Sequence, residues 1–199
     1  MTKFENLIRI SAICLGGVAL LASTISAILL SRQERGSSLG RGGIFRSGLS
    51  VFIITIVLVI VGILLWKPIP IQPSASTLFC ITSVGAIFYF SGIGLYLWGL
   101  GTMRSQFGVS SLFGAHLYKE HRLVTKGPFA LVRHPLYIGV ILTAIGALFI
   151  FRTWAMVLFT PMSLVVIGRA EKEERLLAQE FVEEWNAYAA KVPKWIPRL

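Results

Sequence analysis

Three long apolar runs constrain the fold of this chain more than any other feature of its sequence. They extend from Leu7 to Leu30, from Gly48 to Trp66 and from Thr77 to Leu100. A helix needs about 20 predominantly apolar residues to cross a bilayer, and in lipid its backbone polar groups must be satisfied within the helix itself. The runs therefore predict three membrane-spanning helices in an all-α integral membrane protein.

Two shorter apolar runs follow, from Leu136 to Phe151 and from Thr153 to Gly168, and Arg152 alone separates them. At about 1.5 Å per residue, each run is short for a complete crossing. We expect a helical hairpin here, which brings the total to about five transmembrane helices. The sequence leaves open whether the hairpin crosses the bilayer fully or in part.

Basic residues mark one side of these helices. By the order of the spans, all but four of the 19 Lys and Arg residues fall in connections on the same side. The four exceptions are Lys3, Arg9, Lys67 and Arg152. Because cytoplasmic loops carry such an excess, the pattern predicts an N-terminus outside the cell. It places the C-terminus and the two long polar segments, 101–133 and 169–199, in the cytoplasm.

The composition excludes several classes of function. The chain contains no Asp, which rules out a Ser-His-Asp triad and an Asp metal cluster. Cys14 and Cys80 lie inside apolar runs, where a free Cys behaves as a small hydrophobe, so no disulfide and no metal site are predicted. The net charge of +10 is spread over every inside loop rather than gathered on one helix or sheet. We therefore predict no nucleic-acid binding.

The tail of the chain carries apolar residues at spacings of three to five. They are Leu176, Leu177, Phe181, Trp185 and Tyr188. This pattern predicts an amphipathic helix over 171–190, which either continues the fifth span or lies along the membrane interface. The helix is expected to stop before Pro193.

The segment 123–139 turns and then enters the fourth run. Pro135 suits the first position of a helix, which places Arg133 and His134 at a helix N-terminus, where free N–H groups and the helix dipole favour an anion. A ligand carboxylate or phosphate would fit there. The alternative is structural: Arg133 extends to the interface, His134 caps the helix, and Tyr137 is an interfacial aromatic residue.

A second polar segment begins directly after the fifth run. Arg169 and Glu173 are four residues apart, so on one helix they share a face and offer a cation and an anion to a zwitterionic ligand. The alternative is a solvated charged turn. Because both polar segments are predicted on one membrane face, they can form a single pocket for an amino-acid moiety, with Phe129, Tyr137 or His121 available to stack on an adenine.

These elements resemble a known family. Segment 123–139 has the pattern Leu-Val-Thr-x-Gly-Pro-Phe-x-x-x-Arg-His-Pro-x-Tyr-x-Gly, and after it come Glu-Glu-x-x-Leu, Phe181, Tyr188 and Val192-Pro193. This order and spacing is similar to that of the isoprenylcysteine carboxyl methyltransferases and their prokaryotic relatives. The resemblance covers about residues 100 to 199. It implies three N-terminal transmembrane helices over 1–100 and a catalytic region over 101–199, with a cytosolic loop, the hairpin and a C-terminal tail.

The resemblance implies a cytosolic pocket for S-adenosyl-L-methionine, closed by the C-terminal tail. The matching cofactor-binding positions are His121, Arg122, Leu123, Val124, Phe129, His134, Pro135, Leu136, Tyr137 and Glu173. Arg169 matches the family's catalytic arginine, which binds the carboxylate of the acceptor. Phe129 departs from the Tyr common in relatives, so a hydroxyl contact is missing there.

The implied reaction is carboxyl methylation of a lipid-borne, prenylcysteine-like acceptor that enters from the bilayer between helices, among membrane lipids. Attack of a carboxylate on a sulfonium methyl requires no metal and no general base, because the acceptor is already ionised at pH 7. Alignment of the two reactants supplies much of the rate.

Other readings stay open at this point. A phospholipid or small-molecule N-methyltransferase shares the Arg-His-Pro and Glu-Glu elements. A NADPH-dependent membrane reductase shares a similar Arg-His-Pro-x-Tyr element, but such chains usually have Asn where this one has Leu136. A cofactor-free adaptor or transporter is disfavoured, because the first three runs hold no deep charged residue of the kind that lines a translocation path.

Overall fold

The computed structural model describes residues 3–33, 48–103 and 123–197. Within them the chain is helical, apart from turns and one isolated antiparallel bridge between Pro68 and Thr153. The helices are α1 (Lys3–Gln33), α2 (Gly48–Leu64), α3 (Ala75–Met103), α4 (Pro135–Phe151), α5 (Trp154–Met162), α6 (Val165–Glu180) and α7 (Val182–Lys191), with a 3₁₀ turn at Gly127–Ala130.

Three helical stretches of the described chain are long and apolar enough to cross a membrane. They are Lys3–Ser26, Ala75–Met103 and Trp154–Glu180, while α4 is shorter at 17 residues. The predicted all-α integral membrane fold is confirmed.

The fifth apolar run differs from the short hairpin arm that the sequence suggested. It continues from α5 into α6, and together they form a stretch of 27 residues. Pro161, inside the last turn of α5, has no N–H to donate, and the helix is interrupted at Ser163 and Leu164 before it resumes. The fourth run stays short, so the two arms of the hairpin are unequal.

The tail also differs from the single helix predicted over 171–190. It breaks at Phe181, whose N–H closes α6 on Leu177 O at 2.9 Å, and α7 then begins at Val182. The break folds the tail back, so that Trp185 and Tyr188 pack against Leu177. The predicted stop before Pro193 is confirmed, because α7 ends at Lys191.

Helices α3 and α4 pack with their backbones nearly in contact. A Cβ at Gly139 would lie 2.7 Å from Gly92 O, and one at Gly146 would lie 2.6 Å from Gly85 O. Small residues allow such an approach in membrane helices. The antiparallel pair brings the end of α3 beside the start of α4, where the predicted site lies.

A polar cluster closes the opposite end of the helices. Arg152 takes a positive φ of 51° in the turn between α4 and α5, a conformation that a non-glycine residue keeps only when its surroundings hold it. Its guanidinium donates to Glu5, to Thr82 Oγ1 at 3.1 Å and to Phe149 O at 2.8 Å. The start of α1 therefore lies beside the same turn, away from the predicted site.

Candidate functional site

The site begins at a turn before α4 that favours glycine. Gly127 has a φ of +61°, and a Cβ there would lie 2.7 Å from Thr102 Oγ1. The positive φ disfavours a side chain, and the close approach of Thr102 leaves no room for one. The 3₁₀ turn then buries Phe129 against Leu100 and Leu136, and the chain enters α4 at Pro135.

His134 occupies the N-cap position of α4, as the sequence predicts, but its side chain makes no capping hydrogen bond. Its Nε2 atom instead lies 2.9 Å from Glu174 Oε1. The first backbone N–H groups of a helix have no intrahelical partner, and Pro135 has no N–H at all. The helix start lies where the sequence predicted it, and anion binding there stays a prediction.

Glu174 contacts three side chains, two from the segment before α4 and one from the tail. Besides His134, its carboxylate lies 3.3 Å from Arg133 Nη1 and 3.2 Å from Lys194 Nζ. Glu174 was not among the predicted site residues. The doublet Glu173-Glu174 contained the signal, because neighbouring helix residues point about 100° apart and so reach different atoms of His134 and otherwise different partners.

Glu173 approaches the other side of the His134 ring. Its Oε2 atom accepts a 2.9 Å hydrogen bond from the Tyr137 hydroxyl and lies 4.0 Å from His134 Nδ1. Arg169 is near enough to interact with both Tyr137 and Glu173. The predicted cation and anion of α6 therefore meet the start of α4.

The C-terminal tail packs over this arrangement. The Arg133 N–H donates to Pro193 O at 2.9 Å, and the Tyr188 hydroxyl donates to Phe129 O at 2.7 Å. The Trp195 ring lies 5.3 Å from the His134 ring. Burial raises the pKa of Tyr188 to about 12, so this hydroxyl stays a donor at physiological pH. Trp195, Tyr188 and Lys194 were not among the predicted site residues.

A cavity of about 610 Å³ lies beside this arrangement, within the roughly 300–1,000 Å³ usual for small-molecule sites. The polar end is lined by Arg133, His134, Tyr137, Arg169 and Glu173.

The other end of the cavity is apolar and lies deep among the membrane helices. It is lined by residues of α1, α3, α4 and α5, among them Gly16, Tyr89, Phe151 and Met156. One continuous space therefore joins a charged site to an apolar interior.

The predicted site residues fall into three groups. Those that line the cavity are Phe129, His134, Leu136, Tyr137, Arg169 and Glu173. Those that do not line it are Leu123 and Val124, which pack against buried apolar clusters, and Pro135, which is fully buried. His121 and Arg122 lie outside the described residues. Over 3–33, 48–103 and 123–197, no group of three His, Cys, Asp or Glu side chains is arranged to hold a metal ion.

Comparison with protein families gives a match over residues 77–179 to the isoprenylcysteine carboxyl methyltransferase (ICMT) family. This range extends from the start of α3 almost to the end of α6, and so includes Arg169 and Glu173.

Individual proteins are also similar to part of the chain. A protein-S-isoprenylcysteine O-methyltransferase of Schizosaccharomyces pombe is 30% identical over 112 residues, which cover 55% of this chain and 48% of that protein. The nickel-cobalt-cadmium resistance protein NccN of Alcaligenes xylosoxydans xylosoxydans is 35% identical over 83 residues, 41% of this chain and 38% of its own length. A probable protein-S-isoprenylcysteine O-methyltransferase of Oryza sativa subsp. indica is 32% identical over 91 residues, 41% of this chain and 44% of its own length. The matched segments span less than half of each relative.

Proposed function

Because the chain belongs to the isoprenylcysteine carboxyl methyltransferase family, we propose that it methylates the carboxylate of a lipid-borne, prenylcysteine-like acceptor with S-adenosyl-L-methionine. The observation that carries this proposal is the cavity, in which a charged end suited to an amino acid continues into an apolar interior suited to a lipid chain.

The charged end fits the amino-acid part of the cofactor. The open N–H groups at the start of α4 suit a carboxylate, and the Glu173 carboxylate suits an ammonium group. The rings of Phe129 and Tyr137, both on the cavity wall, offer faces for an adenine. His121 and Arg122 join this set by their match to the family pattern. When bound, the cofactor supplies an electrophilic methyl group on a sulfonium.

Arg169 is the residue we assign to the acceptor. It lines the cavity on α6, one turn before Glu173, so a carboxylate held there is beside the proposed cofactor site. A guanidinium binds a planar carboxylate through two parallel hydrogen bonds.

Positioning is the main contribution that these residues make to the rate. Alignment of two reactants is worth up to roughly 7–11 kcal/mol in favourable cases. Exclusion of water by the packed tail strengthens the attraction between carboxylate and sulfonium. No side chain has to accept a proton, because the acceptor carboxylate is ionised at neutral pH.

Exposed residues of the cavity wall support a path from the bilayer for the lipid part of the acceptor. Two residues of the cavity wall, Leu20 of α1 and Val165 of α6, are also 71% and 67% exposed on the outer surface of the helices. An apolar side chain that faces both the cavity and the surroundings marks a lateral opening to lipid. The excess of basic residues at the site end of the chain supports a cytoplasmic location for that end.

A methyl-transfer assay tests the proposal and separates it from its alternatives. The purified protein is incubated with methyl-labelled S-adenosylmethionine and N-acetyl-S-farnesylcysteine, and the labelled product is treated with base. A label released as methanol indicates a carboxyl ester, as proposed. A base-stable label on a phospholipid headgroup would favour the N-methyltransferase, and absence of transfer to any lipid would refute a methyltransferase of this kind.

A further inference from the structure

The depth of the cavity leads to an inference about its substrate, which rests on the proposed function. We propose that Gly16 on α1 determines how long a lipid chain the site accepts. Gly16 lies outside the 77–179 range of the family match, in a part of the sequence that carries none of the motif residues.

The cavity runs along α4 from Leu136 to Phe151. At about 1.5 Å per residue, this is a length of about 22 Å. An acceptor whose carboxylate meets Arg169 at the polar end has its chain directed along α4, toward the apolar end. Chains longer than this space meet its far wall.

Before its far end, the space is bordered by a tight contact between α1 and α3, at the level of Gly146 of α4, where a Cβ would meet Tyr89 N. A Cβ at Gly16 would lie 2.6 Å from the Tyr89 hydroxyl oxygen, closer than side-chain carbons normally approach. Tyr89 is only 5% exposed, and its hydroxyl donates to Ala12 O at 2.8 Å. Because both Gly16 and Tyr89 line the cavity, a side chain at position 16 narrows it, either directly or by displacing the tyrosine.

Two nearby positions make matched comparisons. Gly17 is the next residue of the same helix, and a Cβ there meets nothing within 4 Å, so its substitution changes α1 without changing the cavity. Met156 lines the apolar end from α5, so its truncation lengthens the space. Substitutions at 16 and 156 should therefore act in opposite directions.

The size of the effect follows from burial of the chain. Each buried methylene is worth about 0.8 kcal/mol, or about fourfold in affinity. Exclusion of only two methylenes thus costs roughly 16-fold. A shorter chain, which ends before the obstruction, should lose nothing.

The test measures thermal stabilisation of the detergent-purified protein by N-acetyl-S-geranyl-, S-farnesyl- and S-geranylgeranyl-cysteine, since a ligand that binds the folded state raises Tm without any turnover. In Gly16→Leu we expect the preference to move to a shorter chain. The affinity for the longest chain that the wild type binds should fall at least tenfold. Gly17→Leu should keep the wild-type order, and Met156→Ala should favour longer chains. Gly16→Ala replaces Gly16→Leu if the larger variant does not fold.

An unchanged order of chain lengths in the Gly16 and Met156 variants would overturn the inference, as would a wild type that none of the three compounds stabilises. Chain-dependent stabilisation of a wild type that transfers no methyl group would instead refute the proposed function and leave the role of Gly16 standing.

Discussion

Replacement of Glu174 by Gln tests whether this carboxylate holds the C-terminal tail over the site. The Gln side chain keeps the shape of Glu but removes the charge that His134, Arg133 and Lys194 share at 2.9, 3.3 and 3.2 Å. The Lys194 contact belongs to the tail, and the Arg133 N–H also bonds to the tail through Pro193 O. We therefore expect the variant to open more often at the tail while the membrane helices stay folded.

The magnitude follows from the one contact that opening breaks. His134 and Arg133 lie before α4 and keep their contacts with Glu174 when the tail lifts, so only the Lys194 pair is lost. This pair is partly exposed and contributes about 0.2–1 kcal/mol. Its loss is equivalent to an increase of about 1.4- to 5-fold in the open population.

Hydrogen exchange measures this population at the Arg133 amide, which is protected only while Pro193 stays in place. Glu171→Gln is the matched control, because Glu171 lies on the same helix and is exposed. Faster exchange at Arg133 in Glu174→Gln alone is the expected result. Equal exchange in both variants, or faster exchange throughout α3 and α4, would refute the reasoning.

Three further predictions address individual residues. Arg169→Ala should lower methyl transfer to a carboxylate acceptor and leave S-adenosylhomocysteine affinity within about twofold, since its proposed partner is the acceptor; an equal loss of cofactor affinity in calorimetry would contradict that role. Glu173→Gln should weaken S-adenosylhomocysteine about tenfold or more through loss of a charged hydrogen bond, with an unchanged Tm because the amide oxygen still accepts from Tyr137; unaltered affinity would exclude the ammonium contact. Tyr188→Phe should lower the free energy of unfolding by about 0.5–1.5 kcal/mol, since Phe129 O loses its donor; a denaturation midpoint equal to that of the wild type would show that this hydrogen bond is not stabilising.

Sequence patterns predicted those features that depend on local rules. Apolar run length predicted α1 and α3, and the place of Pro135 predicted where α4 starts. Helical periodicity placed Arg169 and Glu173 on one face, which the structure turns toward Tyr137. Each of these follows from the geometry of a single helix.

Features that depend on contact between distant segments were not predictable in the same way. The Glu174 cluster requires α6, the start of α4 and the tail to meet. Its residues are separated by up to 61 positions in the sequence, and no helical period describes such a separation. The break at Phe181 similarly follows from the packing of Trp185 and Tyr188 on Leu177.

The proposed role of Gly16 on α1 also depends on contact between distant segments. An apolar helix of this kind has no motif that distinguishes Gly16 from Gly17. Only the approach of Tyr89 makes the two glycines different, because it leaves no room at one position and open space at the other.

The most direct test of the account is calorimetric titration of the detergent-purified protein with S-adenosylhomocysteine, with NADPH titrated in parallel. The account predicts binding of S-adenosylhomocysteine and none of NADPH, because the charged end of the cavity is suited to a zwitterionic amino acid. Binding of NADPH alone, or of neither compound, would contradict it.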